Sequence, residues 1–183
     1  WVFSQSQRQF PHYHRRQRLT FTLCDCEPDG QKGTVTHMPN SSELSPNHSN
    51  GVVVAGGIFE MYSGTISGNN STYGGGGVYV YNGTFKMKNG TISGNSADNS
   101  KGGSGYGGGV YADGFCTFTM SGNAAISGNT AAGSYGGGVY MDDFNGQSIF
   151  TMSGNAAISG NTAKSYGGGV CVKYGTFTMN GGT

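Results

Sequence analysis

Gly75-Gly76-Gly77-Val78-Tyr79, Gly107-Gly108-Gly109-Val110-Tyr111, Gly136-Gly137-Gly138-Val139-Tyr140 and Gly167-Gly168-Gly169-Val170-Cys171 are four copies of one phrase. Two further phrases trail each copy as far as the sequence runs, a Thr-Phe-x-Met or close variant and then an Ile-Ser-Gly-Asn. Aligned on its apolar positions, the repeat yields three series: Val52, Val78, Val110, Val139 and Val170; Phe59, Phe85, Phe118, Phe150 and Phe177; and Ile66, Ile92, Ile126 and Ile158. Successive valines lie 26, 32, 29 and 31 residues apart, from position 52 to 78, 110, 139 and 170. A period of that size marks a solenoid, in which one supersecondary unit is stacked on copies of itself.

Within each unit the apolar pattern has the period of a strand. Phe85-Lys86-Met87, Phe118-Thr119-Met120 and Phe150-Thr151-Met152 alternate large apolar residues with Lys or Thr, as a half-buried strand requires. Gly, Asn and Ser separate the runs and supply the turns. No Leu follows Leu44, Gly accounts for 36 of the 183 residues, and no helical stripe of period 3.6 is present. These features predict an all-β parallel β-helix of about five coils, each of three short strands, one coil per repeat of ~26–33 residues. Adjacent parallel strands lie ~4.8 Å apart, so each residue rests on its own counterpart in the next coil. Asn69, Asn95, Asn129 and Asn161, three residues after each Ile, are expected to stack at one corner and bond along the axis. The triple glycines are expected at a tight corner, where Cβ atoms clash or φ is positive. A phosphate-binding loop would need a Lys-Ser/Thr or a following helix, and neither is there.

Composition narrows the function. The chain carries a formal net charge of +1, and its last Arg is Arg18. From residue 51 onward Lys86, Lys88, Lys101, Lys164 and Lys173 balance Glu60, Asp98, Asp113, Asp142 and Asp143, so the solenoid is neutral. A nucleic-acid groove needs a basic stripe, and no nucleic-acid partner is expected. Residues 1–50 differ in kind, holding every His, Arg and Pro of the chain. Residues 1–18 form a poorly patterned segment, 19–50 an irregular lead-in coil, and 51–183 the repeats. The sequence breaks off at Gly182-Thr183, where the next Ile-Ser-Gly-Asn would begin, so the chain is expected to be part of a longer protein.

The glycine phrase together with Gly-Thr-Phe-x-Met and Gly-Thr-Ile-Ser-Gly-Asn resembles the repeats of bacterial right-handed parallel β-helix surface proteins. It is similar to the chlamydial polymorphic outer-membrane proteins, whose Gly-Gly-Ala-Ile phrases answer to Gly76-Gly77-Val78 and its copies. Their Phe-x-x-Asn phrase is replaced here by Ile-Ser-Gly-Asn. The lead-in Leu23-Cys24-Asp25-Cys26 with Gly33-Thr34-Val35-Thr36-His37 also resembles segments ahead of such repeats in large surface proteins. The resemblance spans residues 19–183 and implies a right-handed coil. It further implies an adhesin or autotransporter-like passenger at the cell surface or outside the cell, with a host protein or glycan as partner.

Several constellations remain as candidates for chemistry. Asp113 and Asp142 fall three residues after Val110 and Val139, hence side by side on adjacent coils, with Asp143 next to them. Such a pair suits Ca²⁺ or acid/base work on a polysaccharide. The matching positions elsewhere are Ala55, Tyr81 and Lys173, so the row is short, and solvated turn aspartates are the simpler reading. Tyr79, Tyr111 and Tyr140 alternate with buried aliphatics and are expected to face outward in a row. Tyr73, Tyr106, Tyr135 and Tyr166 form a second series just before the glycines. Exposed aromatic rows stack on sugars or join interfaces, and they also simply cover sheets. Glu60 and Lys86 are expected to pair across neighbouring coils for at most ~1 kcal/mol. His12, His14, Cys24 and Cys26 make a zinc site of the wrong spacing, so no metal and no cofactor is expected. No His follows His48, which leaves no His-based triad in the repeats, and no catalytic residue is assigned. An ice-binding face would use Thr84, Thr117 and Thr176 with Thr119, Thr151 and Thr178, but Ile58, Glu60, Lys86 and Ile149 break those ranks. The leading expectation is a non-enzymatic structural and adhesive segment; the alternative is a carbohydrate-binding or polysaccharide-degrading β-helix.

Overall fold

The computed structural model describes residues 2–3, 20–23, 34–35, 50–99 and 102–183. Every strand pairing in it is parallel, and four sheets run along the axis of one solenoid. The valine sheet holds Val2–Phe3, Val52–Ala55, Val78–Tyr81, Val110–Asp113, Val139–Asp142 and Val170–Val172. The phenylalanine sheet holds Thr20–Leu23, Ile58–Met61, Thr84–Met87, Thr117–Met120, Ile149–Met152 and Thr176–Met179. The isoleucine sheet holds Thr34–Val35, Thr65–Ser67, Thr91–Ser93, Ala125–Ser127 and Ala157–Ser159. A fourth, short sheet of two-residue strands holds Asn70–Ser71, Ser96–Ala97, Thr130–Ala131 and Thr162–Ala163.

That short sheet corrects the expected three strands per coil to four. Its strands carry only Ser, Thr, Asn and Ala, and two residues show no alternation to detect. Thr20–Leu23 and Thr34–Val35 extend the phenylalanine and isoleucine sheets by one further coil, with Phe21 opposite Phe59 and Val35 opposite Ile66. His12, His14, Cys24 and Cys26 lie outside the described residues.

The registers are those of the repeat. Val78 faces Val110 and Val110 faces Val139, while Phe85 faces Phe118 and Phe118 faces Phe150. Six phenylalanine rings from Phe21 to Phe177 stack at centroid separations of 5.3, 4.9, 4.9, 4.5 and 4.6 Å. Met61, Met87, Met120 and Met152 line the core beside them, and Ile66, Ile92 and Ile126 close it opposite. Burying each such side chain stabilises the fold by roughly 1.5–3 kcal/mol, and each coil obtains that burial only from its neighbours.

Two devices turn the chain at the corners. Gly107 sits at φ 59°, a left-handed conformation that side chains resist, and a Cβ on Gly108 would lie 2.4 Å from the carbonyl oxygen of Thr130. Each triple glycine thus crosses from the short sheet to the valine sheet in minimal space. The second device is the asparagine ladder. Asn69, Asn95 and Asn129 each donate Nδ2–H to Oδ1 of the next Asn, at 2.9, 3.0 and 2.9 Å. Each backbone N–H reaches the same acceptor, which satisfies turn groups in a buried place.

Candidate functional site

Seven tyrosines and two aspartates gather on the outer side of the valine sheet. Val78-Tyr79-Val80 and its copies turn their tyrosines away from the core, as the alternation requires. Tyr79, Tyr111 and Tyr140 then stack along the axis at centroid distances of 5.3 Å per step. The expected exposure of this row is corrected by the structure. Tyr111 is only 5 % exposed and Tyr140 1 %. The covering rings are those of the second series. Tyr106 lies 6.1 Å from Tyr111 and 5.0 Å from Tyr140, Tyr135 lies 5.4 Å from Tyr140, and Tyr73 lies 5.9 Å from Tyr79. The left-handed glycine that follows each of Tyr106 and Tyr135 folds its ring back over the sheet. The result is a second apolar layer outside the coil.

Burial of these phenols shifts their ionisation. Desolvation, with the charge of Asp113 next, raises the pKa of Tyr79 and Tyr111 well above the usual value. Desolvation and then Asp142 do the same for Tyr140. A raised folded pKa favours the neutral phenol in the native state, so this stability is complete below the unfolded tyrosine value of ~10 and is lost as pH rises beyond it. An alkaline titration is therefore expected to show these phenolates appearing only together with loss of the β circular dichroism. Their ionisation with the fold intact would contradict the buried layer.

Asp113 and Asp142 are brought together in register on adjacent coils, as the spacing predicts. The Tyr79 hydroxyl donates to Asp113 Oδ2 at 3.0 Å, and the Tyr140 hydroxyl to Asp142 Oδ2 at 3.0 Å. Lys173 donates to the same oxygen of Asp142 at 3.4 Å. Burial, and to a smaller extent the charge of Asp142, pushes the Asp113 carboxyl above its ordinary range, while the Tyr79 hydroxyl pulls against that shift. No group of three or more His, Cys, Asp and Glu side chains is placed to hold a metal ion among the described residues. Cys116 is buried, with its thiol donating to the carbonyls of Asp113 and Val80 at 3.2 and 3.4 Å, and burial raises its pKa. That environment keeps a thiol protonated and unreactive.

Where the valine sheet turns into the phenylalanine sheet, the structure exposes aromatic residues of which the repeat alignment marks only Tyr81, as the counterpart of Asp113. Tyr81, Phe115, Phe144 and Tyr174, one from each of four successive coils, project there with exposures of 47, 53, 88 and 42 %. Phe115 and Phe144 occupy short insertions that have no counterpart in the period. The signal available in sequence was a large aromatic within two residues of the last valine-strand position in these four coils, which the coil of Ala55 lacks. Residues 143–148 form the longest of these corners. Asp143, itself buried, accepts backbone N–H groups of Asn145, Gln147 and Ser148 at 3.0, 2.8 and 2.7 Å. Desolvation works to raise the pKa of Asp143, and these donors more than offset it, holding the carboxyl below its ordinary range. Ser148 Oγ accepts from Cys116 N at 2.8 Å and donates to the Gly114 carbonyl at 2.6 Å, binding this corner to the previous one.

Other surfaces are plainer. Lys86 meets Glu60 at 3.1 Å in the expected register, and Lys88 Nζ sits 4.1 Å above the Tyr62 ring. A recess of about 270 Å³ at the next corner is lined by groups such as Thr65, Asn89, Thr91 and Asn123 and holds no titratable side chain. The outer ranks of the phenylalanine sheet are interrupted by Ile58, Glu60, Lys86 and Ile149, as the sequence indicates.

The parallel stacked sheets agree with a comparison against protein families, in which the right-handed β-helix region matches residues 34–183. The chain belongs to the right-handed β-helix family. No curated protein and no solved structure matched it. The β-helix family includes both structural proteins and carbohydrate-active enzymes of the pectate-lyase kind, so membership assigns the scaffold without choosing between these two uses.

Proposed function

We propose that this β-helix is a non-enzymatic structural and adhesive segment of a larger bacterial surface or secreted protein, presenting a ligand-contacting edge on a stiff rod. The supporting observation is the pairing of the tyrosine layer with the two aspartates. Tyr79 and Tyr140 occupy one carboxylate oxygen of Asp113 and Asp142, and nearly closed aromatic packing fills the space behind them. Tyr111 and Tyr140 thereby act as scaffold, and of the five candidate side chains Tyr79 and the two aspartates remain partly exposed. From residue 51 onward there is no Arg or His to steady a developing charge or to shuttle a proton.

A second reading, polysaccharide cleavage, is favoured by one observation. Asp113 and Asp142 lie in register on adjacent coils, a pairing of two carboxyl groups such as glycoside hydrolysis uses, and burial raises the Asp113 carboxyl above its ordinary range. A single experiment distinguishes the two. Beads carrying the full chain would be flowed over surfaces coated with polysaccharides or matrix proteins, and released reducing ends measured in the same cells. Retention without reducing ends is the expected result. Reducing ends that vanish with Asp113→Asn would overturn it in favour of the enzyme.

A further inference from the structure

We propose that the tyrosine layer over the valine sheet is an electron-transfer array, through which a one-electron oxidant at the surface draws an electron from Tyr79 while the phenol proton passes to Asp113. This chemistry is separate from the adhesive role. Seven tyrosines are joined ring to ring without a gap. Tyr79, Tyr111 and Tyr140 form the inner rank at 5.3 Å per step, and Tyr106 bridges it from outside, 6.1 Å from Tyr111 and 5.0 Å from Tyr140. Two ends of the layer reach solvent. Tyr73, 38 % exposed, lies 5.9 Å from Tyr79. Tyr166, 63 % exposed, lies 5.3 Å from Tyr135, which is itself 5.4 Å from Tyr140. Electrons tunnel readily between aromatic rings this close, so an oxidising equivalent entering at either end reaches the inner rank.

A cover for the sheet needs only rings, and phenylalanine would serve as well. The hydroxyls and the carboxylates in line with them call for another account. Burial keeps these phenols neutral, and a neutral phenol that loses an electron alone becomes a strongly acidic cation in a poorly hydrated layer. The proton must therefore leave with the electron. Tyr79 and Tyr140 each have an acceptor in place, Asp113 Oδ2 and Asp142 Oδ2, both at 3.0 Å. In the step proposed, the Tyr79 O–H bond breaks, the electron reduces the oxidant, and the proton bonds to Asp113 Oδ2. A neutral tyrosyl radical is left beside a neutral carboxylic acid, so the layer gives up one negative charge and acquires no positive one.

Tyr79 is favoured over Tyr140 as the resting place of the radical. Asp142 Oδ2 also accepts from Lys173 at 3.4 Å, and that positive charge opposes its protonation. Among the described residues Asp113 makes no ion pair, and burial makes its carboxylate the stronger base. An equivalent that arrives at Tyr140 thus passes on to Tyr79 across the intervening ring of Tyr111. There the half-buried ring lies edge to face with Tyr73, which hinders its coupling to a second molecule.

The test is flash photolysis of the full chain with tris(bipyridyl)ruthenium as the photo-oxidant and a cobalt(III) ammine as its sacrificial acceptor. Transient absorption and electron paramagnetic resonance follow the neutral tyrosyl radical. In the wild-type chain its decay is expected to be independent of protein concentration, as a shielded radical requires. Tyr79→Phe and Asp113→Asn are each expected to lower the yield of this long-lived radical by about tenfold or more, the proton acceptor being lost in the second. Tyr62→Phe, at an exposed tyrosine on another face, is expected to leave the yield unchanged. Tyr79→Phe keeps the stacked ring, so circular dichroism should match the parent even if Asp113→Asn disturbs its corner. Radicals that decay only by pairing into dityrosine-linked dimers, or a yield indifferent to both variants, would overturn the array. A yield lost in Tyr79→Phe but kept in Asp113→Asn would overturn the assigned path of the proton.

Discussion

Phe118→Ala is expected to destabilise the solenoid by about 3–5 kcal/mol, the usual cost of emptying an aromatic core site. Phe118 is fully buried between Phe85 at 4.9 Å and Phe150 at 4.5 Å, and both neighbours lose a stacked face. Because each coil contacts only the next, the damage falls on two interfaces in the middle of the array. Coils on either side then communicate weakly, so urea unfolding monitored by circular dichroism should broaden or split into two transitions. Phe177→Ala is the internal control. That ring is 37 % exposed and its one ring contact among the described residues is Phe150, so its loss is expected to cost far less. Equal effects at both positions, or an unchanged midpoint for Phe118→Ala, would show that the coils do not depend on nearest-neighbour stacking.

That dependence is the reason so much of the fold is legible in the sequence. In a stack of coils the same side chain must recur wherever the same contact recurs. The valine, phenylalanine and isoleucine series therefore state the register directly, and the structure pairs Val110 with Val139, Phe118 with Phe150 and Ile92 with Ile126. The asparagine series was legible for the same reason. The short sheet was not, since Thr130–Ala131 and its counterparts are too brief to alternate and too small to read as core.

The candidate site was legible only in part, and the failure has a physical cause. A period of two says that Tyr111 leaves the coil on its outer side. It says nothing about whether another segment lies over it. The cover comes from Tyr106, only five residues earlier, because Gly107 reverses the chain and lays one ring 6.1 Å from the other. The recurring Tyr-Gly-Gly-Gly-Val-Tyr phrase contains that information, though only once the glycine is known to be left-handed. The exposed aromatics Phe115 and Phe144 escaped for the opposite reason. Phe115 and Phe144 stand in insertions, and a repeat alignment sets insertions aside. A residue that departs from the repeat is released from the stacking that fixes all the others, so its identity follows no series that an alignment could show.

Asn129 gives the second large effect, and here the choice of replacement carries the argument. Its Oδ1 accepts from the backbone N–H of Asn95 at 2.9 Å and from Asn95 Nδ2 at 3.0 Å. Its own Nδ2 faces three acceptors, Ile92 O at 3.0 Å, Ser127 O at 3.1 Å and Asn161 Oδ1 at 2.9 Å. Asn129→Ala removes the acceptor and strands two donors of Asn95 in a fully buried place, at roughly 1–3 kcal/mol for each. Asn129→Asp keeps the acceptor and the shape but turns an oxygen toward those three acceptors. At neutral pH that carboxylate is buried, charged and without donors on that side, so the Asp variant should be the less stable of the two. Protonation restores one donor. The folded pKa of the new carboxyl is raised above its unfolded value of ~3.9, so its stability is greatest below that value and is lost as pH rises through the folded pKa. Thermal melts at neutral and acid pH should therefore narrow the gap between Asn129→Asp and the parent as pH falls, while the gap for Asn129→Ala lacks this added term. An Asp variant that is no less stable at neutral than at acid pH would mean that the amide is not held as a donor at this corner, and the ladder would lose its role in joining the coils.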